Sequence, residues 1–303
     1  MRSESKNTKS AVKVVVATLV MFFVGLFFGV GVVTVVKGQT NGNSLLWKVS
    51  GNGLEKPSYV FGTIHLTCEE NLKISKELKT AFDNTQLTVL ELDMDDPTMA
   101  AEMQKYSVNP GMANISDQLS EEDKETINTF FKANYGADLS QFGVVKPFFL
   151  LSMVLLKSVT CPTKSYEQTF VAMSQEAERE VKGLESVKFQ TTLFDDIPQE
   201  DQIQWLTESI SDFGEQQEVL DRMMKLHNEN DMNGLFEVIL QDPQFSQYAD
   251  VLLYERNRDW ISKMEEMAKE QPTFFAVGAG HLGSENGVIA LLQKEGYTLE
   301  PVI

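Results

Sequence analysis

Ser58-Tyr-Val-Phe-Gly62-Thr-Ile-His65-Leu66 and Thr273-Phe-Phe-Ala-Val-Gly278-Ala-Gly-His281-Leu282 follow one design: an apolar run, then Gly-x-x-His-Leu. The chain has only three histidines, and two occupy the same place in this unit. Each apolar run suits a buried strand, and each glycine permits a tight exit that a side chain would obstruct. Each histidine then lies just past the C-terminal end of a strand, where open α/β sheets place their ligands. Imidazole titrates near neutral pH and is the commonest metal ligand, so the pair marks a candidate site.

The surroundings of the two units extend the pattern. Leu45–Val49 reads as a strand before the first, separated from it by a Gly-Asn-Gly turn region, and Glu69–Phe82 has helical spacing after it. Thr88–Met94 reads as the next strand. The second unit continues into a helix over about 284–295 and a strand over 297–302. Two copies of strand–GxxH–helix–strand predict an α+β fold with a central, mainly parallel or mixed sheet built around one site. The middle, roughly 97–271, reads as a largely helical insertion. Ser120 and Asp123 suit a helix N-terminus ahead of Ile127, Phe130 and Phe131, and Pro198 suits the first turn of a helix reaching Ile210. Phe148–Leu156 is strongly apolar but too short to cross a bilayer, so a buried helix is expected.

At 303 residues the chain can bury a sizeable core. Residues 14–36 contain no charged side chain, and 23 residues match the span of a ~30 Å hydrocarbon core. Arg2, Lys6, Lys9 and Lys13 precede this stretch against the single acid Glu4, which predicts a cytoplasmic N-terminus and an external C-terminal domain. The alternative is a cleaved signal peptide. Its apolar core should be about 7–15 residues, and Val36-Lys37-Gly38-Gln39 makes a poor cleavage site. The expected organisation is a cytoplasmic tail 1–13, a transmembrane anchor 14–36, a polar linker 37–44 and a folded domain 45–303 in a single-pass cell-membrane protein. Gly25 and Gly29 form a GxxxG that could pair two anchors as a homodimer, with lipid-facing spacing as the alternative. The formal net charge is −18, and residues 1–37 are basic, so the folded part is more acidic still. Such a surface excludes nucleic acid as a partner.

Cys68 and Cys161 are the only thiols, with no C-x-x-C pair. A disulfide in an exported domain and a metal-ligand role for Cys68 both stay open. Gly278-Ala-Gly280-His-Leu-Gly283 also matches GxGxxG, with Glu300 near the distance of a ribose-binding acid, but the few residues that follow leave no room for a dinucleotide fold. HExxH, GxSxG and P-loop sequences are absent. Glu91 is an acid amid Val89, Leu90 and Leu92, and an unpaired carboxylate in a buried strand is costly, so a metal or an arginine should face it. Asp93 shares its face, with a solvent-facing strand end as its expected place. Glu185 stands in the strand-like Val181-Lys-Gly-Leu-Glu-Ser186. Arg256 and Asn257 lie on a helix before the second histidine unit, where Arg can clamp a carboxylate or stabilise an oxyanion. His227, beside Lys225 and Asn228, is expected to be an exposed helix residue.

Taken in order, Phe61-Gly-Thr-Ile-His65-Leu, Val89-Leu-Glu-Leu-Asp93, Gly183-Leu-Glu-Ser186 with Gln190, Arg256-Asn257 near Trp260, and Val277-Gly-Ala-Gly-His281-Leu resemble the TraB/GumN family, which includes the Tiki metalloproteases. The resemblance covers about residues 45–303. It implies a domain similar to the erythromycin esterase and ChaN-like proteins, with the paired GxxH motifs and acidic residues forming a divalent-metal hydrolase site. By that resemblance His65, Glu91 and His281 would ligate Mn²⁺, Co²⁺ or Zn²⁺. Glu185 would be a fourth ligand or a base, and Arg256 and Asn257 would serve the oxyanion or the substrate's carboxylate. The implied substrate is a peptide or a secreted signalling protein. A non-catalytic module that binds or sequesters a peptide is the alternative. Tyr166-Glu167 departs from the Gly-x-Asp expected upstream of the Leu-Glu motif, which bears on substrate specificity.

Overall fold

In a computed structural model, residues 42–302 are described. The proposed tail, the anchor 14–36, Gly25, Gly29 and most of the linker lie outside them. Among the described residues, no helix is long and apolar enough to cross a membrane. The described chain divides into two compact units.

The larger unit comprises residues 42–96, 161–186 and 219–302 and carries the sheet. Its strands are β1 (Leu46–Gly51), β2 (Ser58–Thr63), β3 (Thr67–Cys68), β4 (Leu87–Leu92), β5 (Thr163–Lys164), β6 (Val181–Glu185), β7 (Thr273–Gly278) and β8 (Tyr297–Pro301). Six of them form one mixed sheet in the order β6-β4-β7-β2-β1-β8, and β3 pairs with β5 in a separate two-stranded ladder. β6, β4, β7 and β2 run parallel to one another, while β1 is antiparallel to both β2 and β8. Every residue of β2, β4 and β7 is buried. That is expected of central parallel strands covered on both faces, and it explains why they read as apolar runs without alternation.

The register sets where the parallel strands end. Thr63 lies opposite Gly278 across β2 and β7, and Leu92 lies opposite Glu185 across β4 and β6. Four parallel strands thus end on one edge, and both Gly-x-x-His turns leave from it. The glycines serve close approach more than turn geometry. Gly278 has φ −53°, open to any residue. At Gly62 a Cβ would sit 2.7 Å from the Leu282 side chain and 3.1 Å from the Ala279 backbone. The core on one side of the sheet is aromatic: Phe170 contacts Phe274 at 4.9 Å between ring centroids, Phe82 contacts Phe274 at 5.4 Å, and Arg179 lies 4.0 Å over Phe82. Each such ring buried stabilises by roughly 1.5–3 kcal/mol.

The smaller unit, residues 97–160 and 187–218, is helical. Ser120 caps the helix Glu121–Tyr135 by accepting from Asp123 N, and Gly136 ends it with φ 67°. Pro147–Ser158 is the buried helix expected from its apolar run.

Three local expectations need correction. The helix read over 69–82 forms only as Lys76–Asp83 behind a Ser75 cap. Ahead of it Glu69–Asn71 makes only a single 3-10 turn, directly after the segment where β3 pairs with β5 and Cys68 closes a disulfide with Cys161. The later helix shortens to Val288–Lys294, because Ser284 takes a positive φ of 73° and delays the helix start. His227 is buried and not exposed. Its Nε2 donates to Gly62 O at 2.9 Å, and its ring packs on Phe61 and Tyr166. Burial pushes its pKa down to about 4.

Candidate functional site

The shared strand edge gathers every site residue singled out in the sequence. Glu91 sits one residue from the end of β4, Glu185 ends β6, and His65 and His281 follow β2 and β7. Arg256 and Asn257 come from the first turn of helix Glu255–Glu270, entered through a π-helical turn over Asp250–Tyr254. π-turns often mark functional sites, because the extra residue redirects the side chains that follow. All six belong to the larger unit.

Arg256 is the hub, a guanidinium only 2% exposed. Its Nε and Nη2 donate to the two oxygens of Glu185, each at 2.8 Å, and Nη2 also donates to Glu91 Oε2 at 2.7 Å. Its Nη1 donates to His281 Nε2 at 3.2 Å and to Leu252 O at 3.1 Å. Trp260 lies beneath it at 5.0 Å and donates Nε1–H to Glu185 Oε1 at 2.8 Å. Burial works against the arginine's charge, but Glu185 and Glu91 outweigh it and raise its pKa further. The bidentate fork explains why Arg serves here where Lys would not.

Each histidine is oriented by a partner on Nδ1. Asn257 Nδ2 donates to Asn286 O at 2.9 Å and to His281 O at 3.3 Å, so its Oδ1 faces His281 Nδ1 at 2.6 Å. His281 therefore carries its proton on Nδ1 and presents the Nε2 lone pair to the site. Burial, then the charges of Arg256 and His65, hold its pKa well below the usual imidazole range. His65 Nδ1 lies 2.7 Å from Glu167 Oε1. For His65, burial opposes the charge, yet the attraction and hydrogen bond of Glu167, with Glu91 adding, raise its pKa to about 9. Glu167 responds in reverse. Burial pushes it up, while His65 and the Ser165 and Thr63 hydroxyls pull it down to about 2.

The inward nitrogens converge on one oxygen. Glu91 Oε1 accepts from Gly278 N at 2.8 Å and lies 4.0 Å from His65 Nε2 and 3.8 Å from His281 Nε2. Among the described residues, His65 Nε2 has no hydrogen-bond partner although the atom is buried. A Cβ added to Gly278 would stand 3.2 Å from both Glu91 Oε1 and His65 Nε2. The absent side chain thus leaves a small cradle lined by imidazole nitrogen and carboxylate oxygen. That N/O donor set and the orphaned nitrogen fit a borderline divalent cation, whose binding would displace the Nε2 proton that the raised His65 pKa implies. His281 fits only in part, since the nitrogen it would offer already accepts from Arg256. In keeping with that contact, no group of three or more His, Cys, Asp or Glu among the described residues is placed to hold an ion as it stands.

Sequence reasoning missed Glu167, Thr63 and Trp260 as members of this cluster. The Ser165-x-Glu167 pair at a helix start was the one available signal, because a capping serine with an early acid fixes a carboxylate in space. Asp93 was expected at a solvent-facing strand end; it is half-buried, and burial, with Asp95 beside it, raises its pKa to about 6.

The model of the TraB/PrgY/gumN family matches residues 45–301. Metalloprotease TIKI1 of Danio rerio is 23% identical over 321 residues, covering 86% of this chain and 64% of that protein. The TIKI1 metalloproteases of Xenopus tropicalis and Homo sapiens are 23% and 24% identical, each over 86% of this chain and 62% of the relative. The chain therefore spans a little under two thirds of the length of these curated relatives. No solved structure matches it.

Proposed function

Because this chain belongs to the TraB/PrgY/gumN family, we propose that it is a divalent-metal-dependent hydrolase, a peptidase acting on peptides or secreted signalling proteins. The observation that carries this reading is the convergence of two Nε2 atoms, one from each Gly-x-x-His turn, on Glu91 Oε1 beside Gly278. The curated relatives named as metalloproteases support the same class of chemistry at low identity.

His65 and Glu91 would hold the ion, and His281 would join them once its Nε2 exchanges the hydrogen bond from Arg256. Mn²⁺, Co²⁺ and Zn²⁺ all suit such a mixed set. The ion supplies Lewis acidity and makes water a nucleophile at neutral pH, so no Ser or Cys nucleophile is needed. Asn257 keeps the His281 lone pair turned inward. Glu185, with both oxygens engaged by Arg256 and Trp260, anchors the guanidinium and is a poorer choice as a base. Arg256, on releasing His281, would offer Nη1 to an oxyanion or to a substrate carboxylate; one lost donor of that kind costs about 10²–10³ in rate. A duplicated strand–GxxH–helix–strand unit would account for two equivalent histidines at one edge. Residues 14–36 would anchor the domain, with residues 1–13 cytoplasmic and residues 45–303 outside, a topology that external protease added to intact cells would test.

The Arg256–His281 hydrogen bond favours a second reading, a non-catalytic module that binds or sequesters a peptide. The two separate cleanly. The protein is stripped with chelator, resupplied with Mn²⁺, Co²⁺ or Zn²⁺, and offered a peptide library. Cleavage restored by metal supports the hydrolase. Peptide binding that ignores the metal and yields no product supports the module.

A further inference from the structure

We infer that Glu167 is the positioning residue of the first histidine: its carboxylate fixes the His65 ring with Nδ1–H outward and Nε2 facing Glu91. The inference rests on the geometry around His65 alone and stands whether or not the hydrolase reading holds.

Glu167 is 6% exposed, and three polar groups converge on its two oxygens. Oε1 accepts from the Thr63 hydroxyl at 2.5 Å and faces His65 Nδ1 at 2.7 Å, while Oε2 accepts from the Ser165 hydroxyl at 2.5 Å. A carboxylate only accepts, and both hydroxyls can donate to it, so the ring nitrogen opposite Oε1 must carry the proton. That leaves His65 Nε2 as the ring atom turned to the cradle, the nitrogen that has no partner among the described residues. The arrangement parallels Asn257 on His281, but uses an acid where the second histidine uses an amide.

The fold builds this contact from two distant segments. β3 begins two residues after His65, and β5 ends one residue before Ser165. They pair as Thr67↔Lys164 and Cys68↔Thr163, and the Cys68–Cys161 disulfide closes the same ladder. Ser165 then caps helix Tyr166–Glu176 by accepting from Gln168 N, which places Glu167 in the first turn. A negative side chain is favoured there by the helix dipole. Thr63, the last residue of β2, supports the carboxylate from the opposite side. Each element therefore has a local reason to exist, and together they aim one imidazole.

The test is nitrogen NMR of protein labelled in histidine and kept free of metal, on wild type, Glu167→Gln and Glu167→Asp. Wild type should show His65 with a protected, strongly hydrogen-bonded Nδ1–H. In Glu167→Gln, whose amide cannot accept from Thr63, Ser165 and His65 together, that resonance should be lost or shifted toward exchange with the other tautomer. Glu167→Asp should restore it in part. Co²⁺ affinity read by titration should fall about 10–100-fold in Glu167→Gln, the usual cost of losing a ligand's orienting partner. A wild-type His65 with a bare Nδ1 and its only proton on Nε2 would overturn the inference even if neither variant folds. Unchanged His65 signals in a folded Glu167→Gln would overturn it as well.

Discussion

Replacing Arg256 with Ala should be among the most damaging single changes in the larger unit. The guanidinium makes three contacts to two buried carboxylates, at 2.7 and 2.8 Å, and its removal strands Glu185 and Glu91 together. Breaking a buried ion pair by deleting one partner costs about 3–5 kcal/mol, because the remaining charge has lost its compensation. For a chain of this size 1 kcal/mol moves Tm by roughly 2–4 °C, so Arg256→Ala should melt roughly 6–20 °C below wild type. Glu185→Gln should lose part of that on its own. In the double variant the penalties should fall short of their sum by about 1–3 kcal/mol, since contacting residues couple on that scale. The assay is urea or thermal denaturation of the four proteins of this cycle. An Arg256→Ala Tm within about 2 °C of wild type, or penalties that simply add, would refute the reading of Arg256 as the neutralising hub.

Gly278→Ala places a Cβ 3.2 Å from Glu91 Oε1 and His65 Nε2 at a backbone conformation that alanine accepts. It should cost about 1–3 kcal/mol and weaken Co²⁺ binding, whereas wild-type affinity in the variant would show that the cradle holds nothing. The His65–Glu167 pair should stabilise the protein most between the ordinary carboxylate and imidazole values. Glu167 is depressed to about 2, so its contribution is present above its ordinary value and fades as pH falls through 2; His65 is raised to about 9, so its contribution is present below its ordinary value and fades as pH rises through 9. The urea midpoint of wild type minus that of Glu167→Gln should therefore shrink from pH 6 to pH 10, and a difference that stays flat contradicts the pairing. The Cys68–Cys161 bond spans 93 residues, and its reduction should destabilise by roughly 2–5 kcal/mol and lower the order of His65; an unchanged midpoint after complete reduction would contradict this.

The sheet was legible because its central strands are buried on both faces. Phe61, Val89 and Val277 stand in runs that no surface strand would carry, and Gly-x-x-His after two of them marked the strand edge. Glu91 was legible for a related reason, as a charge in a stretch where charge is expensive. What pairs with it was not legible, since an arginine 165 residues away can be placed only by the tertiary fold. Glu167 escaped for the same reason, 102 residues from His65 and joined to it through a two-residue ladder too short to leave a periodic signal. His227 misled because its chain neighbours Lys225 and Asn228 are polar, while its own ring turns inward to the Gly62 carbonyl. Helix starts slipped where a disulfide or a positive φ overrode the apolar spacing, as at Cys68 and Ser284.

The central claim is that His65 and Glu91 hold a divalent cation. Titration of metal-free protein with Co²⁺, followed by the d–d absorption of the bound ion, tests it most directly in wild type, His65→Ala and Glu91→Gln. The account predicts one site in the wild type, with affinity reduced by ten-fold or more in each variant while circular dichroism shows the fold retained, since His65→Ala removes a direct ligand and Glu91→Gln removes a ligand's negative charge, neither being merely an orienting partner. Wild-type protein that takes up no Co²⁺, or folded variants that bind it as tightly as wild type, would contradict the claim.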